Sequence, residues 1–146
     1  MTMMKQRVAI LGSTGSIGVS TLDVISRHPD RFDVFALTAS TQTDLLLSQC
    51  VAFKPAFAVM ASPAHGRILQ DKCRELGLKT QVMSGATAIA EVAAHKQVDS
   101  VMAAIVGAAG LEPCLAAARA GKRLLLANKE ALVVGGQVFL EAVKQG

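Results

Sequence analysis

Several stretches of this sequence carry residues that could bind a ligand, and the first is the glycine-rich run GSTGSIG at residues 12–18. Apolar residues precede it, and apolar residues at helical spacing follow it, which predicts a strand, a tight turn and a helix. We expect Gly12 to make the turn, Gly15 to let a ligand approach the backbone and Gly18 to let the helix lie close on the sheet. Free backbone N–H groups and the helix dipole would then suit a pyrophosphate, and so a dinucleotide.

The glycine spacing alone is not diagnostic. It reads G-x-x-G-x-x-G, one residue away from the usual G-x-G-x-x-G fingerprint. An ordinary Gly/Ser turn that caps a helix would look the same. The dinucleotide interpretation is favoured because the run stands at the beginning of a chain in which strands and helices alternate.

The second stretch is Asn128, Lys129 and Glu130, three polar residues in a row between two apolar runs. They follow a predicted short strand, so they would face a cleft at its carboxyl end. Asn128 can bind a carboxamide or ribose, Lys129 an anionic substrate, and Glu130 a ribose hydroxyl. The alternative is that Asn128 caps a helix with Glu130 in its first turn.

A second glycine-bearing turn, residues 106–110, follows another predicted strand. Its small residues would let the backbone approach a flat ring such as nicotinamide, and Gly107 is the candidate for that contact. A turn that merely begins the next helix is equally compatible with the sequence.

The elements that would position these stretches alternate along the chain. The pattern predicts strands at 7–11, 32–38, 56–60, 80–83, 98–105 and 124–127, with helices at 19–27, 43–53, 63–76, 85–95 and 111–120. No hairpin signal joins neighbouring strands. The predicted fold is therefore α/β, a doubly wound, mostly parallel sheet with helices on both faces.

The end of the second predicted strand, residues 38–42 (TASTQ), bears on the choice of dinucleotide. A carboxylate there would bind the ribose 2′-hydroxyl of NAD, and none is present. Small hydroxyl side chains leave room for a 2′-phosphate, which favours NADP. Alternatively, Ser40 and Thr41 simply cap the next helix.

Composition limits the function classes. A chain of 146 residues with 51% hydrophobic and 18% charged residues predicts one globular domain. The net charge of +4 is scattered and is accompanied by no Trp or Tyr, which argues against nucleic acid and for an anionic small molecule. No membrane-length apolar run and no signal-peptide pattern are present, so we expect a cytoplasmic protein.

Cysteines and histidines give no metal pattern. The three cysteines are far apart, which predicts reduced, buried thiols, and the three histidines are solitary. We therefore expect no metal site in this chain.

Three runs carry a resemblance to a known family: residues 12–24, 103–111 and 126–133. They resemble 1-deoxy-D-xylulose 5-phosphate reductoisomerase, the bacterial and plastid enzyme of non-mevalonate isoprenoid synthesis, and the resemblance covers the whole chain. It implies a Rossmann-like domain that binds NADPH, with Lys129 reaching the substrate. The cofactor-binding residues that it implies are Thr14, Gly15, Ser16, Ile17, Asn128 and Glu130.

The resemblance also implies what the chain lacks. The family enzyme rearranges a sugar phosphate and reduces the product with NADPH, and it needs Mg²⁺ or Mn²⁺ held by a following catalytic domain. We therefore expect residues 1–146 to be the NADPH-binding domain, ending in the connection to that absent domain. The expectations are no catalytic residue in this chain, no activity alone, and a possible homodimer of the full-length enzyme. Where the family often has Gly-Lys/Arg-Asn, this chain has Ser40-Thr41-Gln42.

Three alternatives remain at this point. Reductases of the aspartate-semialdehyde or dihydrodipicolinate type share the glycine spacing, although the first type needs a cysteine nucleophile with a nearby base. A non-catalytic nucleotide-binding module would bind NADP(H) without a second domain. A short-chain dehydrogenase is excluded, because its catalytic tyrosine has no counterpart in a chain without Tyr.

Overall fold

Strands and helices alternate along the chain as the sequence predicts. The computed structural model describes residues 6–104 and 111–126. The strands are β1 (Gln6–Leu11), β2 (Phe32–Ala39), β3 (Phe57–Met60), β4 (Gln81–Ser84), β5 (Ser100–Ala103) and β6 (Arg123–Leu126). The helices are α1 (Ser16–Ser26), α2 (Thr43–Phe53), α3 (Pro63–Glu75), α4 (Ala86–Ala93) and α5 (Leu111–Arg119).

The six strands form one parallel sheet in the order β4-β3-β2-β1-β5-β6. The chain runs outward from β1 to β4, then returns to the other side of β1 for β5 and β6. The order therefore reverses between β1 and β5, and the carboxyl ends of these two strands flank a topological switch point. The predicted doubly wound sheet is confirmed.

Two apolar cores cover the two faces of this sheet. In β1, Val8 and Ile10 pack into one core, and Ala9 and Leu11 into the other, because successive side chains of a strand point to opposite faces. Helices α1, α2 and α3 supply the first core, and α4 and α5 the second. Both faces are thus buried, which explains the nearly continuous apolar strands.

A bulge in β2 interrupts the alternation. Val8 is opposite Val34 and Ala9 is opposite Ala36, so Phe35 has no partner on β1. Phe35 and Ala36 consequently lie in the same core. The extra residue brings the Phe35 ring 5.5 Å from the ring of Phe57, which extends the core at the amino end of the sheet.

Element ends differ from the sequence prediction by one to a few residues. The difference that matters is at α1, which begins at Ser16 rather than at Val19. The last three residues of the glycine-rich run are therefore the first turn of the helix, and only residues 12–15 form the turn. We call residues 12–15 the glycine turn. No helix in the described ranges is both long and apolar enough to cross a membrane.

Candidate functional site

The glycine turn leaves β1 at the carboxyl edge of the sheet, the edge where the parallel strands end. Gly12 has a φ of +79°, a conformation that side-chain-bearing residues rarely adopt. The N–H of Gly15 donates to the carbonyl oxygen of Gly12 at 3.3 Å, which closes the turn. The predicted role of Gly12 is confirmed.

Gly18 lies where the helix comes closest to the turn. A Cβ at this position would be 2.4 Å from the Gly12 carbonyl oxygen and 2.5 Å from the Ser13 Cα. Both are backbone atoms that cannot swing away. The prediction of a close approach is correct, but the surface that Gly18 packs against is the turn itself rather than the sheet beneath it.

The first turn of α1 is open to an anion. Gly15, Ser16 and Ile17 are exposed and Thr14 is half-buried. Gly15 is the N-cap residue, no side chain caps the helix, and no acidic residue lies in its first turn. Gly15 of the turn thus caps the helix by its backbone alone, which is also compatible with the alternative of an ordinary Gly/Ser turn, and the N–H groups at this end have no side-chain acceptor.

Gly15 also leaves space beside these N–H groups. Its missing Cβ would meet only the Gly12 carbonyl oxygen, at 3.7 Å, an ordinary contact distance. Backbone N–H groups without side-chain acceptors, the positive end of a helix dipole and a surface without side-chain obstruction are the features of a phosphate site. The geometry suits the pyrophosphate that the sequence predicts.

Thr38, at the end of β2, serves the turn rather than a ribose. It is 1% exposed. Its Oγ1 accepts a hydrogen bond from the N–H of Gly12 at 2.9 Å, and its carbonyl oxygen accepts one from the N–H of Ser13 at 2.8 Å. A second buried residue, Gln49 of α2, contacts Ser13 from the other side. The sequence analysis assigned Thr38 to the run that faces the ribose and did not single out Gln49, whose signal was a polar residue on the apolar face of a predicted helix.

Ser40, Thr41 and Gln42 follow β2 at the carboxyl edge, and all three are exposed. Helix α2 begins at Thr43 with Gln42 as its N-cap, and no side chain caps it. The alternative that Ser40 and Thr41 cap this helix is therefore wrong. Their hydroxyl groups are available to a ligand at the edge where the glycine turn also lies.

The other half of the predicted site lies outside the described residues. This applies to Gly107, Asn128, Lys129 and Glu130. Of the described strands that lead toward them, β5 ends beside β1 and β6 ends beside β5: Leu11 is opposite Ala103, and Ala103 is opposite Leu126.

A cleft of about 760 Å³ lies at the opposite, amino edge of the sheet. Lys54 and Lys79 are on its rim, and the apolar side chains of Val51 and Leu76 line it. It is on the wrong edge to share a ligand with the glycine turn, because ligands of open parallel sheets bind outside the carboxyl ends of the strands.

The three cysteines are free and buried, as the sequence predicts. Burial raises the pKa of the Cys50 thiol to about 12 and that of the Cys114 thiol to about 11. Thiols with such pKa values are protonated at neutral pH and are poor nucleophiles. This disfavours a cysteine-dependent reductase of the aspartate-semialdehyde type. Within residues 6–104 and 111–126, no three His, Cys, Asp or Glu side chains come together as a metal site would require.

Comparison with known proteins is consistent with this geometry. The family model for 1-deoxy-D-xylulose 5-phosphate reductoisomerase matches residues 8–136. The reductoisomerase of Dechloromonas aromatica is 56% identical over 140 residues, which are 96% of this chain and 35% of that protein. That of Aromatoleum aromaticum is 58% identical over 138 residues, 94% of this chain and 34% of the relative. The chain thus spans about a third of the length of these relatives.

Solved structures agree. A crystal structure of DOX-P reductoisomerase with NADPH, fosmidomycin and magnesium superposes with a TM-score of 0.91 at 47% identity, covering 96% of this chain and 34% of that one. The enzyme from Zymomonas mobilis in complex with NADPH superposes with a TM-score of 0.90 at 41% sequence identity, covering 97% of this chain and 37% of that one. The Rossmann-like fold that the sequence resemblance implies is confirmed. The chain belongs to the 1-deoxy-D-xylulose 5-phosphate reductoisomerase family.

Proposed function

We propose that this chain is the NADPH-binding domain of a 1-deoxy-D-xylulose 5-phosphate reductoisomerase. The observation that carries the proposal is the uncapped, exposed N-terminus of α1 at the switch point of the sheet. Two solved relatives of this fold are complexes with NADPH. The family match favours this function over the other reductase types and over a module without chemistry.

In this proposal residues 14–17 bind one end of the cofactor and residues 128–130 the other. Backbone groups of Thr14, Gly15, Ser16 and Ile17 bind the diphosphate. Asn128 and Glu130 bind the ribose and the carboxamide of the nicotinamide end, and Lys129 reaches the anionic substrate. Parallel strands that end side by side support this division, because β6 ends at Leu126, two residues before Asn128.

NADPH, when bound, supplies the hydride of the reduction. The chain's own residues bind and orient it, and we assign no catalytic residue and no metal ligand here. The divalent metal, Mg²⁺ or Mn²⁺, would be held by the part of the full-length enzyme that corresponds to the remaining two-thirds of the relatives. Residues 1–146 would then be the cofactor domain, inactive alone.

The activity of the full-length enzyme completes the proposal. It is the conversion of 1-deoxy-D-xylulose 5-phosphate to 2-C-methyl-D-erythritol 4-phosphate in non-mevalonate isoprenoid synthesis, in the cytoplasm and as a homodimer. The substrate is a small phosphorylated sugar. If this is right, the 146-residue chain shows no turnover with or without added Mg²⁺ or Mn²⁺, and metal-dependent turnover would contradict it.

Ser40 and Thr41 would contact the 2′-phosphate that distinguishes NADPH from NADH. Their hydroxyls are exposed, no carboxylate stands beside them in the run TASTQ, and hydrogen bonds to a charged group contribute about 1.5–3 kcal/mol. We therefore expect NADPH to bind at least about tenfold more tightly than NADH.

Titration of the chain with each nucleotide, followed by nicotinamide fluorescence, measures this preference. The double variant S40A/T41A tests the assignment: it should lose most of the preference for NADPH. Its affinity for NADH, which should stay the same, is the matched control. Equal affinities of the unaltered chain for the two nucleotides would overturn the 2′-phosphate assignment.

A further inference from the structure

A buried side-chain amide supports the glycine turn from below. Gln49 lies on α2, 36 residues from Ser13 in sequence, and the two side chains meet beneath the turn. The Ser13 hydroxyl donates to Gln49 Oε1 at 2.7 Å, and Gln49 Nε2 donates to the Ser13 carbonyl oxygen at 2.8 Å. Each residue thus gives the other one hydrogen bond and accepts one in return.

This pair is isolated from water. Ser13 is 0% exposed and Gln49 is 7% exposed, while Leu46 and Cys50 beside Gln49 on α2 are both fully buried in the apolar core. A polar group that is buried without a hydrogen-bond partner costs free energy. Conformations of the turn that break these two hydrogen bonds are therefore less stable than the observed one. The Ser13 hydroxyl has a second acceptor within reach, the Thr38 carbonyl oxygen at 3.3 Å, but the side-chain donor to the Ser13 carbonyl oxygen is Gln49 Nε2. The amide of Gln49 can donate and accept at once without carrying a charge.

The bond to the Ser13 carbonyl oxygen fixes more than Ser13. That carbonyl and the N–H of Thr14 belong to one planar peptide unit, so holding the oxygen also sets the direction of the N–H. The Thr38 carbonyl holds the preceding peptide through the Ser13 N–H, at 2.8 Å. The backbone is therefore held on both sides just before the residues that face the proposed diphosphate.

We propose that Gln49 is a positioning residue for cofactor binding, which orients the Ser13–Thr14 peptide and the glycine turn before NADPH arrives. The inference rests on the proposed function of the turn. Because Gln49 lies beneath the turn and away from the exposed surface, its effect on affinity is indirect: a turn already in its binding conformation loses less conformational freedom when the ligand binds.

The first test compares two buried polar substitutions in the 146-residue chain. Gln49→Leu keeps approximate size and removes both bonds to Ser13. The control, Ser100→Ala, replaces a buried serine and removes one partly buried hydrogen bond, from the Ser100 hydroxyl to Gln6 Oε1 at 2.9 Å, at the amino edge of the sheet. We expect Q49L to weaken NADPH binding by about tenfold or more, and S100A to leave it unchanged.

The second test separates positioning from packing by pH. In Gln49→Glu the carboxylate cannot donate to the Ser13 carbonyl oxygen, whereas the protonated acid can, in nearly the geometry of the amide. Burial and the facing carbonyl raise the pKa of the introduced carboxyl group in the folded state. The fraction of the variant in the functional, protonated form therefore increases as pH falls. The affinity of Q49E for NADP⁺, divided by that of the unaltered chain at the same pH, should rise from pH 8 to pH 5. The free energy of unfolding of Q49E, compared with that of the unaltered chain, should fall as pH rises through that pKa.

Amide hydrogen exchange of the free chain gives a readout that needs no nucleotide. Exchange at Gly12 and Ser13 should be about tenfold faster in Q49L, with S100A like the unaltered chain. Unchanged affinity in a folded Q49L, equal losses in Q49L and S100A, or a pH-independent affinity ratio for Q49E would each overturn the inference. If the unaltered chain binds no NADPH, the proposed function fails, and the exchange rates alone then decide whether Gln49 holds the turn.

Discussion

At the scale of single residues, two glycines of one helix terminus have opposite requirements. Gly18 has no room for a side chain, because the backbone of Gly12 and Ser13 occupies the place of its Cβ. Gly15 has room, because its Cβ would meet a single atom at an ordinary contact distance. Gly18 is therefore needed by the fold, whereas we expect the missing side chain of Gly15 to matter for the proposed ligand.

This contrast predicts different outcomes for the same substitution. Gly18→Ala should destabilise the chain by about 2–3 kcal/mol, because the clash forces the helix away from the turn. Gly15→Ala should lower stability by less than about 1 kcal/mol, since its φ of −76° suits alanine and only the preference for glycine over alanine at an N-cap is lost, but it should weaken NADPH binding about tenfold or more by obstructing the diphosphate. Urea unfolding and nucleotide titration measure the two effects. A G15A chain that binds NADPH normally would remove Gly15 from the site.

The buried thiols predict a dependence on pH. The pKa of Cys50 is raised to about 12 and that of Cys114 to about 11, from an ordinary value of 9.0. Below pH 9 the thiols are protonated in both folded and unfolded chains. Above it the unfolded chain ionises first, so the free energy of unfolding should fall as pH rises from 9 toward 12.

Alkylation measures the low reactivity of the buried, protonated thiols. At pH 8 iodoacetamide should react far more slowly with the folded chain than with the chain in urea, where all three cysteines react. The variant Cys114→Ala should show a smaller fall of stability at high pH. Rapid alkylation of the folded chain would show that a cysteine is accessible and reactive after all.

At the scale of elements, the sequence predicted the order and types of helices and strands because the apolar spacing in each is local. It placed the start of α1 three residues late, since glycines and serines read as turn, although Ser16 to Gly18 are helical. The bulge at Phe35 was also missed. Which residues are opposite each other on neighbouring strands depends on packing across the sheet, so no local pattern records it.

The end of α2 carries a conformational cost that a substitution can relieve. Lys54 is its C-cap, with a φ of +50°, the one positive φ at a non-glycine position in the described residues. Lys54→Gly should stabilise the chain by about 0.5–1 kcal/mol, because glycine adopts this conformation without steric cost.

Thermal or urea unfolding checks this expectation. Lys79→Gly is the control, since Lys79 is an exposed lysine on the same cleft without a positive φ. It should lower stability slightly by making the unfolded chain more flexible. If K54G is no more stable than K79G, the backbone at Lys54 carries no such cost.

At the scale of the whole molecule, the strand order explains how distant parts of the sequence can share one ligand. Residues 12–17 follow β1. On the other half of the sheet β5 lies beside β1 and β6 beside β5, and because all the strands are parallel these three end at the same edge. The sequence predicted this from alternation alone. It did not predict the Gln49 support, because a contact between residues 36 positions apart leaves only a polar residue on an apolar helix face.

The central claim is that the N-terminus of α1 binds the diphosphate of NADPH. The most direct measurement is a titration of the isotopically labelled chain with NADPH, followed by the shifts of its backbone amide resonances. The account predicts the largest shifts at Gly15, Ser16 and Ile17, with Lys54 and Lys79 at the amino-edge cleft unchanged. Shifts confined to that cleft, or no shift at the α1 terminus when NADPH is bound, would contradict it.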